Sequence, residues 1–209
     1  TGNFIWPDRS DYPIILVIAL FHMVGFSALM TAGLKYVPAG RAIVLGYTTP
    51  LWVAPMAALF LKESLPIRRL LGIGIGMAGL LYLFGPKSFD WKSTNDVVGN
   101  GLIVLAAVSW SVSIVYTRAH RWAGTPFQLV LWQTLLAAIV LSGFALYFEG
   151  LPHVSLSGAA VVSLLYNGAI GTALGFWAMT VVNRRVPATA ASLGVLATPI
   201  VGIVFSILI

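Results

Sequence analysis

One stretch of the chain occurs twice, and this repetition constrains the fold more than any other feature of the sequence. Residues 37–50 read VPAGRAIVLGYTTP, and residues 186–199 read VPATAASLGVLATP. A shift of one residue extends the match upstream, where Gly25-Phe26-x-Ala28 falls on Gly175-Phe176-x-Ala178. Each copy has a proline in the turn before an apolar run and a second proline inside that run. Such a repeat is interpreted before any fold is assigned, because it sets the architecture.

The composition places the two copies in a membrane protein. Of the 209 residues, 59% are hydrophobic and 9% are charged, whereas soluble domains carry about 25% charged residues. Runs of about 20 apolar residues indicate membrane helices. We therefore predict an all-α integral membrane protein with seven spans, at residues 12–34, 42–61, 67–84, 97–117, 127–148, 158–182 and 188–209.

The distribution of Lys and Arg predicts how these spans are oriented. Short cytoplasmic loops are enriched in both residues. One side of the predicted spans holds most of the 12 cations, namely Arg9, Lys62, Arg68, Arg69, Arg118, Arg121, Arg184 and Arg185. We expect the segment before the first span to be cytoplasmic. A net charge of +6 is also found in nucleic-acid-binding proteins. Here the cations lie in loops between spans, so we predict the lipid bilayer as a partner and no nucleic acid.

The spacing of the two copies predicts an inverted repeat. They begin the second and the seventh spans, which are five spans apart. Because five is an odd number, the copies cross the membrane in opposite directions, and the repeating unit contains five helices. Inverted repeats are common in secondary transporters, whose substrate binds near the midplane between the halves. We expect an incomplete copy of a ten-helix protein, with residues 1–86 as spans three to five and residues 87–209 as spans six to nine.

Both halves of the sequence resemble a known family. The first half contains KYVPAGRAIVLGYTTPLWVAPMAALFLKE and RRLLGIGIGMAGLLYLFGP, and the second contains AAVSWSVSIVYTRA and GAIGTALGFWAMTVVNRRVPATAASLGVLATPIVGIVF. In order and spacing these segments resemble the first and second EamA repeats of the drug/metabolite transporter (DMT) superfamily. The resemblance implies a ten-helix transporter of the inner (plasma) membrane that exports small metabolites, often amino acids, through a cavity between the halves. It does not identify the substrate, because members of the family differ widely.

His22 is the ionisable residue nearest the middle of a predicted span. It lies about ten residues into the first span, which corresponds to roughly 15 Å of helix in a hydrocarbon core about 30 Å thick. An imidazole at this depth can titrate near neutral pH or bind a carboxylate or amine of a substrate. The alternative is a neutral histidine bonded to a neighbouring helix. Its counterpart in the repeat, Thr172, is also polar and mid-span, which favours a position in the cavity.

Pro50 and Pro199 interrupt their spans at matching positions of the two copies. A proline has no amide hydrogen, so each leaves a helix carbonyl unpaired. Neighbouring hydroxyl groups are placed to satisfy such carbonyls, and they belong to Thr48, Thr49 and Thr198. Interrupted helices at corresponding positions of two halves indicate a transporter's binding site; an ordinary kink in a packed helix is the alternative. We predict Pro50 and Pro199 as hinges, with Tyr47 and Trp52 lining the site beside Pro50.

Polar and aromatic residues of other spans complete the predicted site. Trp110 lies too deep in its span for an interfacial aromatic belt, and it borders a face that carries Ser113. Tyr166 and Asn167 are expected to be buried because of their position; the amide of Asn167 is equally suited to bonding another helix. The predicted substrate-binding residues are His22, Tyr47, Trp52, Trp110, Ser113, Tyr166, Asn167 and Trp177.

A glycine-rich segment of the third span predicts helix packing and not a cofactor site. Residues 74–79, GIGMAG, match the dinucleotide-binding fingerprint, which requires a preceding strand and a helix that begins at the glycines. Here the glycines lie inside an apolar span, so no cofactor is predicted. Gly72 and Gly76 also form a G-x-x-x-G motif, which lets helix backbones approach closely. Its partner is either another span or a second copy of the protein, which would make a homodimer.

Three other classes of protein are considered besides a transporter: a seven-helix receptor or retinal protein, an intramembrane enzyme and a passive channel. A retinal protein needs a mid-span lysine, but the four lysines of this chain lie outside the centres of the spans. A seven-helix receptor usually has its N-terminus outside, whereas the cations here place the N-terminal segment inside. An intramembrane enzyme needs catalytic or metal-ligating residues in proximity, and the sequence shows no such cluster, so we predict no enzymatic activity and no metal. A passive channel needs selectivity rings or a hydrated polar stripe, for which the polar residues are too sparse. A channel and a receptor-like protein are the alternatives that we retain.

The role of His22 in coupling transport to pH is testable. If the imidazole titrates during transport, His22→Ala should flatten the dependence of the transport rate on pH between about pH 5.5 and 8. The measurement is substrate exchange by the protein in liposomes. An unchanged pH profile in the variant would contradict the hypothesis.

Overall fold

The fold consists of helices in the computed structural model, which describes residues 6–84, 93–151, 157–199, 201 and 204. This part of the chain contains no strand. Its helices are, in chain order, α1 (Arg9–Gly33), α2 (Ala39–Phe60), α3 (Ile67–Phe84), α4 (Thr94–Ala119), α5 (Pro126–Phe148), α6 (Gly158–Arg185) and α7 (Ala188–Val195). The all-helical class predicted from the composition is therefore confirmed.

Five of these helices are long and apolar enough to cross a membrane, namely α1, α2, α4, α5 and α6. The other two, α3 and α7, begin at the starts of the predicted spans 67–84 and 188–209. They contain 18 and 8 residues, and the residues after α7 are described only in part. The described chain thus supports five candidate spans. Seven spans within a ten-helix inverted repeat stay a prediction.

Local sequence signals define where several helices begin. The hydroxyl of Ser93 accepts a hydrogen bond of 3.0 Å from the amide of Asp96 at the start of α4. Thr125 and Gln128 form a reciprocal capping box at the start of α5, where Pro126 is the first helical residue. The first amides of a helix have no partner within the helix, so these side chains satisfy them and set the boundary.

Helix α4 lies at the centre of the bundle and contacts α1, α2, α6 and α7. It buries four apolar side chains completely, those of Ile103, Ala106, Ala107 and Ile114. Gly25 permits the close approach of α1, because a β-carbon at this position would lie 2.6 Å from Ser109 Oγ. The Ser109 hydroxyl donates a hydrogen bond of 2.7 Å to the Phe21 carbonyl of α1. The contact between these two helices is therefore polar as well as apolar.

Contacts between the ends of helices show that successive helices run in alternating directions. Asp11, at the start of α1, is fully buried and accepts a hydrogen bond of 2.6 Å from the Gly124 amide, just before α5. Arg118, near the end of α4, donates to the Arg184 carbonyl at the end of α6 (2.8 Å). We call this end of the bundle the basic end, since it carries Arg9, Lys62, Arg68, Arg69, Arg118, Arg121, Arg184 and Arg185. At the opposite end, the starts of α2 and α4 are joined by an ion pair between Arg41 and Asp96.

The G-x-x-x-G face of α3 packs against α7. A β-carbon at Gly76 would overlap the Leu196 side chain, and one at Gly72 would lie 3.8 Å from Leu193 Cδ1. Another helix of the same chain therefore occupies this face, which is one of the two partners that the motif left open. A β-carbon at Gly74 would meet no atom within 4 Å.

Leucine substitutions on α3 test this packing. We expect Gly76→Leu to push α3 away from α7 and lower the midpoint of thermal unfolding in detergent, because overpacking typically costs about 1–3 kcal/mol. Gly74→Leu is the matched control, since it adds the same side chain to the same helix where there is open space. Equal shifts of the midpoint in the two variants would contradict the contact.

Candidate functional site

Helices α2 and α7 are interrupted at the same point of the repeated sequence. Each begins after the first proline of its copy, and each first segment contains 8 residues. Two further residues separate that segment from the shared Thr-Pro pair. At both breaks an amide bonds to the carbonyl three residues earlier: Thr48 N to Leu45 O and Ala197 N to Gly194 O, both at 3.1 Å. The backbone therefore repeats where the sequence repeats, while the hinge role of the two later prolines stays a prediction.

Hydroxyl groups satisfy the backbone at the break in α2. Pro50 cannot donate a hydrogen bond to the Gly46 carbonyl four residues earlier. The Thr49 hydroxyl donates to this carbonyl (2.8 Å), and the Thr48 hydroxyl donates to a carbonyl of the preceding turn (2.6 Å). The Ser111 hydroxyl of α4 donates to the Ala107 carbonyl of its own helix (2.7 Å) and lies 3.2 Å from the Thr49 carbonyl. The prediction that threonines compensate for Pro50 is confirmed at this break.

A second irregularity also occurs at corresponding positions of the repeat. Ile18–Phe26 in α1 and Asn167–Leu174 in α6 are π-helical. Such turns are rare and frequently occur at functional sites. The stretch in α1 contains His22, and the stretch in α6 contains its repeat counterpart, Thr172.

His22 is surrounded by three aromatic rings from three helices. Its imidazole stacks on Trp110 of α4, with centroids 5.2 Å apart and an interplanar angle of 16°. Phe176 of α6 approaches the imidazole at 4.7 Å in an edge arrangement. Phe26 of α1 lies 6.5 Å from His22 and 5.1 Å from Trp110. Sequence reasoning singled out His22 and Trp110 but missed the two phenylalanines, although they are the aligned Gly-Phe residues of the repeat.

Trp110 also lines a cavity of about 480 Å³ between α1, α2, α4 and the residues around the break in α7. Its walls include Phe26, Met30, Tyr47, Val195 and Thr198. Tyr47 belongs to one copy of the repeat and Thr198 to the other, and both residues line the cavity. The cavity therefore lies between the two copies, and two of the predicted site residues, Tyr47 and Trp110, form part of its wall.

The wall of the cavity is aromatic with a few neutral polar groups. The indole N–H of Trp110 is buried and has no hydrogen-bond partner among the described residues. A buried donor without a partner costs about 1–3 kcal/mol, so a bound acceptor towards which the indole turned would relieve this cost. The described residues that line the cavity include no Asp, Glu, Lys or Arg. Such a wall suits a small molecule with an apolar part and an acceptor group.

Other residues predicted for the site lie outside this cavity. The Trp52 indole donates a hydrogen bond of 3.2 Å to the Thr48 hydroxyl. Ser113 is buried within the bundle, with 1% of its surface exposed. Trp177 contacts Phe127 of α5, with centroids 6.4 Å apart. Substrate binding by Trp52, Ser113 and Trp177 stays a prediction.

Tyr166 and Asn167 are exposed, so the expectation that both are buried is wrong. Tyr166 is 63% exposed, and the Asn167 side chain donates to the Ser163 carbonyl of its own helix (2.9 Å). All residues from 161 to 172, Thr172 included, are exposed in the described part of the chain. Depth along a span predicts a position within the membrane, but it does not predict whether another helix covers that part of the span. Their role in substrate binding stays a prediction.

Removal of one hydroxyl group tests the compensation at the break in α2. Thr49→Val keeps the shape of the side chain but leaves the buried Gly46 carbonyl without its donor. We expect a loss of about 1–3 kcal/mol in unfolding free energy, measured as a lower midpoint of thermal unfolding. Thr134→Val is the control, because the Thr134 hydroxyl donates to the Val130 carbonyl (2.8 Å) within an uninterrupted helix. A larger effect of the control substitution would contradict the assignment.

Comparisons with known proteins agree with the all-helical fold. The uncharacterized transporters YoaV and YdfC of Bacillus subtilis (strain 168) are 26% and 29% identical to this chain. The alignments cover 91% and 96% of the chain and 65% and 64% of the two proteins, so the chain spans just under two thirds of their length. One solved crystal structure superposes with a TM-score of 0.78 at 20% identity, over 98% of this chain and 68% of the other, which shows a shared fold. The family model described as the EamA-like transporter family matches residues 2–85 and 97–209, and the chain therefore belongs to this family.

Proposed function

We propose that the protein is a carrier that exports small metabolites, amino acids first, by alternating access between two inverted halves. The observation that carries this proposal is the cavity of about 480 Å³ between the two copies of the repeat. Inverted repeats of secondary transporters bind their substrate at this kind of interface. The proposal extends to the complete ten-helix protein, of which this chain would supply seven spans.

We infer that the cavity is open at one end of the bundle and closed at the other. Towards the basic end, apolar side chains pack into one buried cluster, formed by Val53, Ala57, Ile114, Val115 and Ala188. At the opposite end, the cavity is lined by Leu34 and Ile43, which are 44% and 41% exposed. A binding site that is accessible from one side only is what alternating access requires.

The charge distribution supports an orientation for this state. Lys and Arg favour cytoplasmic loops, so we place the basic end in the cytoplasm and the protein in the inner (plasma) membrane. The cavity then opens away from the cytoplasm. This is the state from which an exporter releases its substrate.

The residues that line the cavity favour one class of substrate. The rings of Phe26 and Trp110 can pack against an apolar side chain. We propose that the buried Trp110 N–H turns towards the substrate, so that it and the Tyr47 hydroxyl bond to a carboxylate or carbonyl group. Amino acids with an aromatic or aliphatic side chain combine both features. No observation in the described residues favours a passive channel or a receptor-like protein, and both are retained as outcomes of the test.

Exchange in liposomes tests the proposal. Liposomes that contain the full-length protein are loaded with one unlabelled amino acid, and labelled amino acids are supplied outside with and without a pH gradient. Exchange without a gradient would support a carrier, and accumulation that requires the gradient would add coupling to protons. Leak of every solute would indicate a channel. Absence of any exchange across amino acids, nucleosides and sugars would argue for a receptor-like protein.

A substitution of Trp110 tests whether the exchanged substrate binds in the cavity. Trp110→Phe keeps an aromatic ring and removes the N–H. We expect KM for an exchanged amino acid to rise roughly tenfold, because a hydrogen bond to a charged group contributes about 1.5–3 kcal/mol. Trp132→Phe is the control, since Trp132 packs against Trp6 away from this cavity (4.9 Å). An unchanged KM in the Trp110 variant would remove the indole from the binding site.

A further inference from the structure

The first turn of α7 is held by a carboxylate from elsewhere in the chain. Glu63, which follows α2, accepts hydrogen bonds from the Ala188 amide (2.8 Å) and the Thr189 hydroxyl (3.0 Å). Arg69 of α3 donates to the Thr189 hydroxyl oxygen (3.0 Å), and its guanidinium lies 3.8 Å from the same carboxylate. We call Glu63, Arg69, Ala188 and Thr189 the basic-end clamp.

The clamp lies on the apolar cluster that blocks the cavity. Ala188 belongs to both, since its amide bonds to Glu63 and its side chain packs in the cluster. The side chain of Glu63 is only 13% exposed, and Thr189 is 1% exposed. Hydrogen bonds to an ionised carboxylate are stronger than neutral ones, and a negative charge is favourable at a helix N-terminus. The clamp therefore stabilises the state in which this end is closed.

The equivalent turn of the other copy is not held in this way. Ala39 is the repeat counterpart of Ala188, and no carboxylate accepts a hydrogen bond from its amide within the described residues. The nearby Asp96 pairs with the Arg41 side chain instead. The cavity opens beside this turn, because Ala39 and Ile43 line it. The same backbone unit is thus clamped at the closed end and unclamped at the open end.

We propose that Glu63 is a positioning residue for transport, whose carboxylate holds the first turn of α7 and keeps the cavity closed at the basic end. Each transport cycle then breaks these bonds to open that end and forms them again to close it. The inference rests on the proposed alternating-access function, but it makes a separate statement about which contact sets the closed state.

Two reporter positions distinguish the open and closed ends. Ile43 lines the cavity and is 41% exposed, whereas Ala191 lies near the clamp and is 5% exposed. The 209-residue sequence has no cysteine; any cysteine elsewhere in the full-length protein is first replaced by serine, and Ile43→Cys and Ala191→Cys then introduce one thiol each. The full-length protein is reconstituted in vesicles of known orientation. A charged thiol reagent that does not cross membranes is then applied from either side.

With Glu63 intact, we expect the thiol at position 43 to react from the opposite end and the thiol at position 191 to be protected. Glu63→Gln keeps the shape of the side chain and removes its charge. Labelling at position 191 from the basic end should then rise roughly tenfold, while labelling at position 43 falls. Glu149→Gln is the matched control, because Glu149 is an exposed glutamate at the end of α5, and it should change neither rate.

The outcomes separate the clamp from the proposed function. Unchanged labelling at position 191 in Glu63→Gln, in protein that elutes as a single folded species, would overturn the clamp even if substrate exchange is observed. A shift in labelling without exchange of any substrate would support the clamp and contradict the carrier. If Glu63→Gln does not fold, Thr189→Val removes the hydroxyl that bridges Glu63 and Arg69. Thr189→Val should also raise labelling at position 191, by a smaller factor than Glu63→Gln. The absence of any rise would overturn the proposal.

Discussion

The rest of the structure depends on one constraint: within a membrane, every backbone N–H and C=O must find its partner inside the protein. A regular helix meets this requirement alone, but α1 and α2 both depart from regular geometry in the middle of the bundle. The departures are covered by side-chain hydroxyls, from Thr49 within α2 and from Ser109 on α4. Helix α4 therefore supplies a donor to α1 at the depth of its irregular segment.

These interruptions also create the space for a site. A continuous pair of helices would fill the volume between the two copies with side chains. The breaks before Thr49 and Thr198 instead lie beside a cavity, whose wall includes Tyr47 of one copy and Thr198 of the other. The two copies have nearly the same local backbone, but their surroundings differ. One is held by Glu63 beside a packed apolar cluster, and the other borders the open mouth. A pair of similar units in two environments is what a two-state carrier needs, since exchanging the environments exchanges the open and closed ends.

The site was only partly predictable from the sequence, for reasons that differ between residues. His22 and Trp110 were identified because a polar or interfacial side chain at mid-span needs an explanation, and they do stack on each other. Phe26 and Phe176 were missed because a phenylalanine in an apolar span is unremarkable by composition, although their alignment in the repeat was visible. Tyr166 and Asn167 were misplaced because position along a helix does not determine whether another helix covers that segment. The clamp residue Glu63 was not singled out, because a charge just after a predicted span is common.

The sequence by itself determined the helical membrane class, the positions of the breaks and the local compensation of Pro50 by Thr49. These features depend on composition and on bonds within one or two turns of the chain, and such information is contained in neighbouring residues. Only the tertiary structure decided which rings surround His22, which face of α3 meets α7 and which carboxylate holds the first turn of α7. These depend on contacts between distant residues, such as Glu63 with Ala188, which are 125 positions apart. Many alternative pairings of apolar helices satisfy the same pattern of hydrophobicity, so the pairing is selected by how the whole bundle packs.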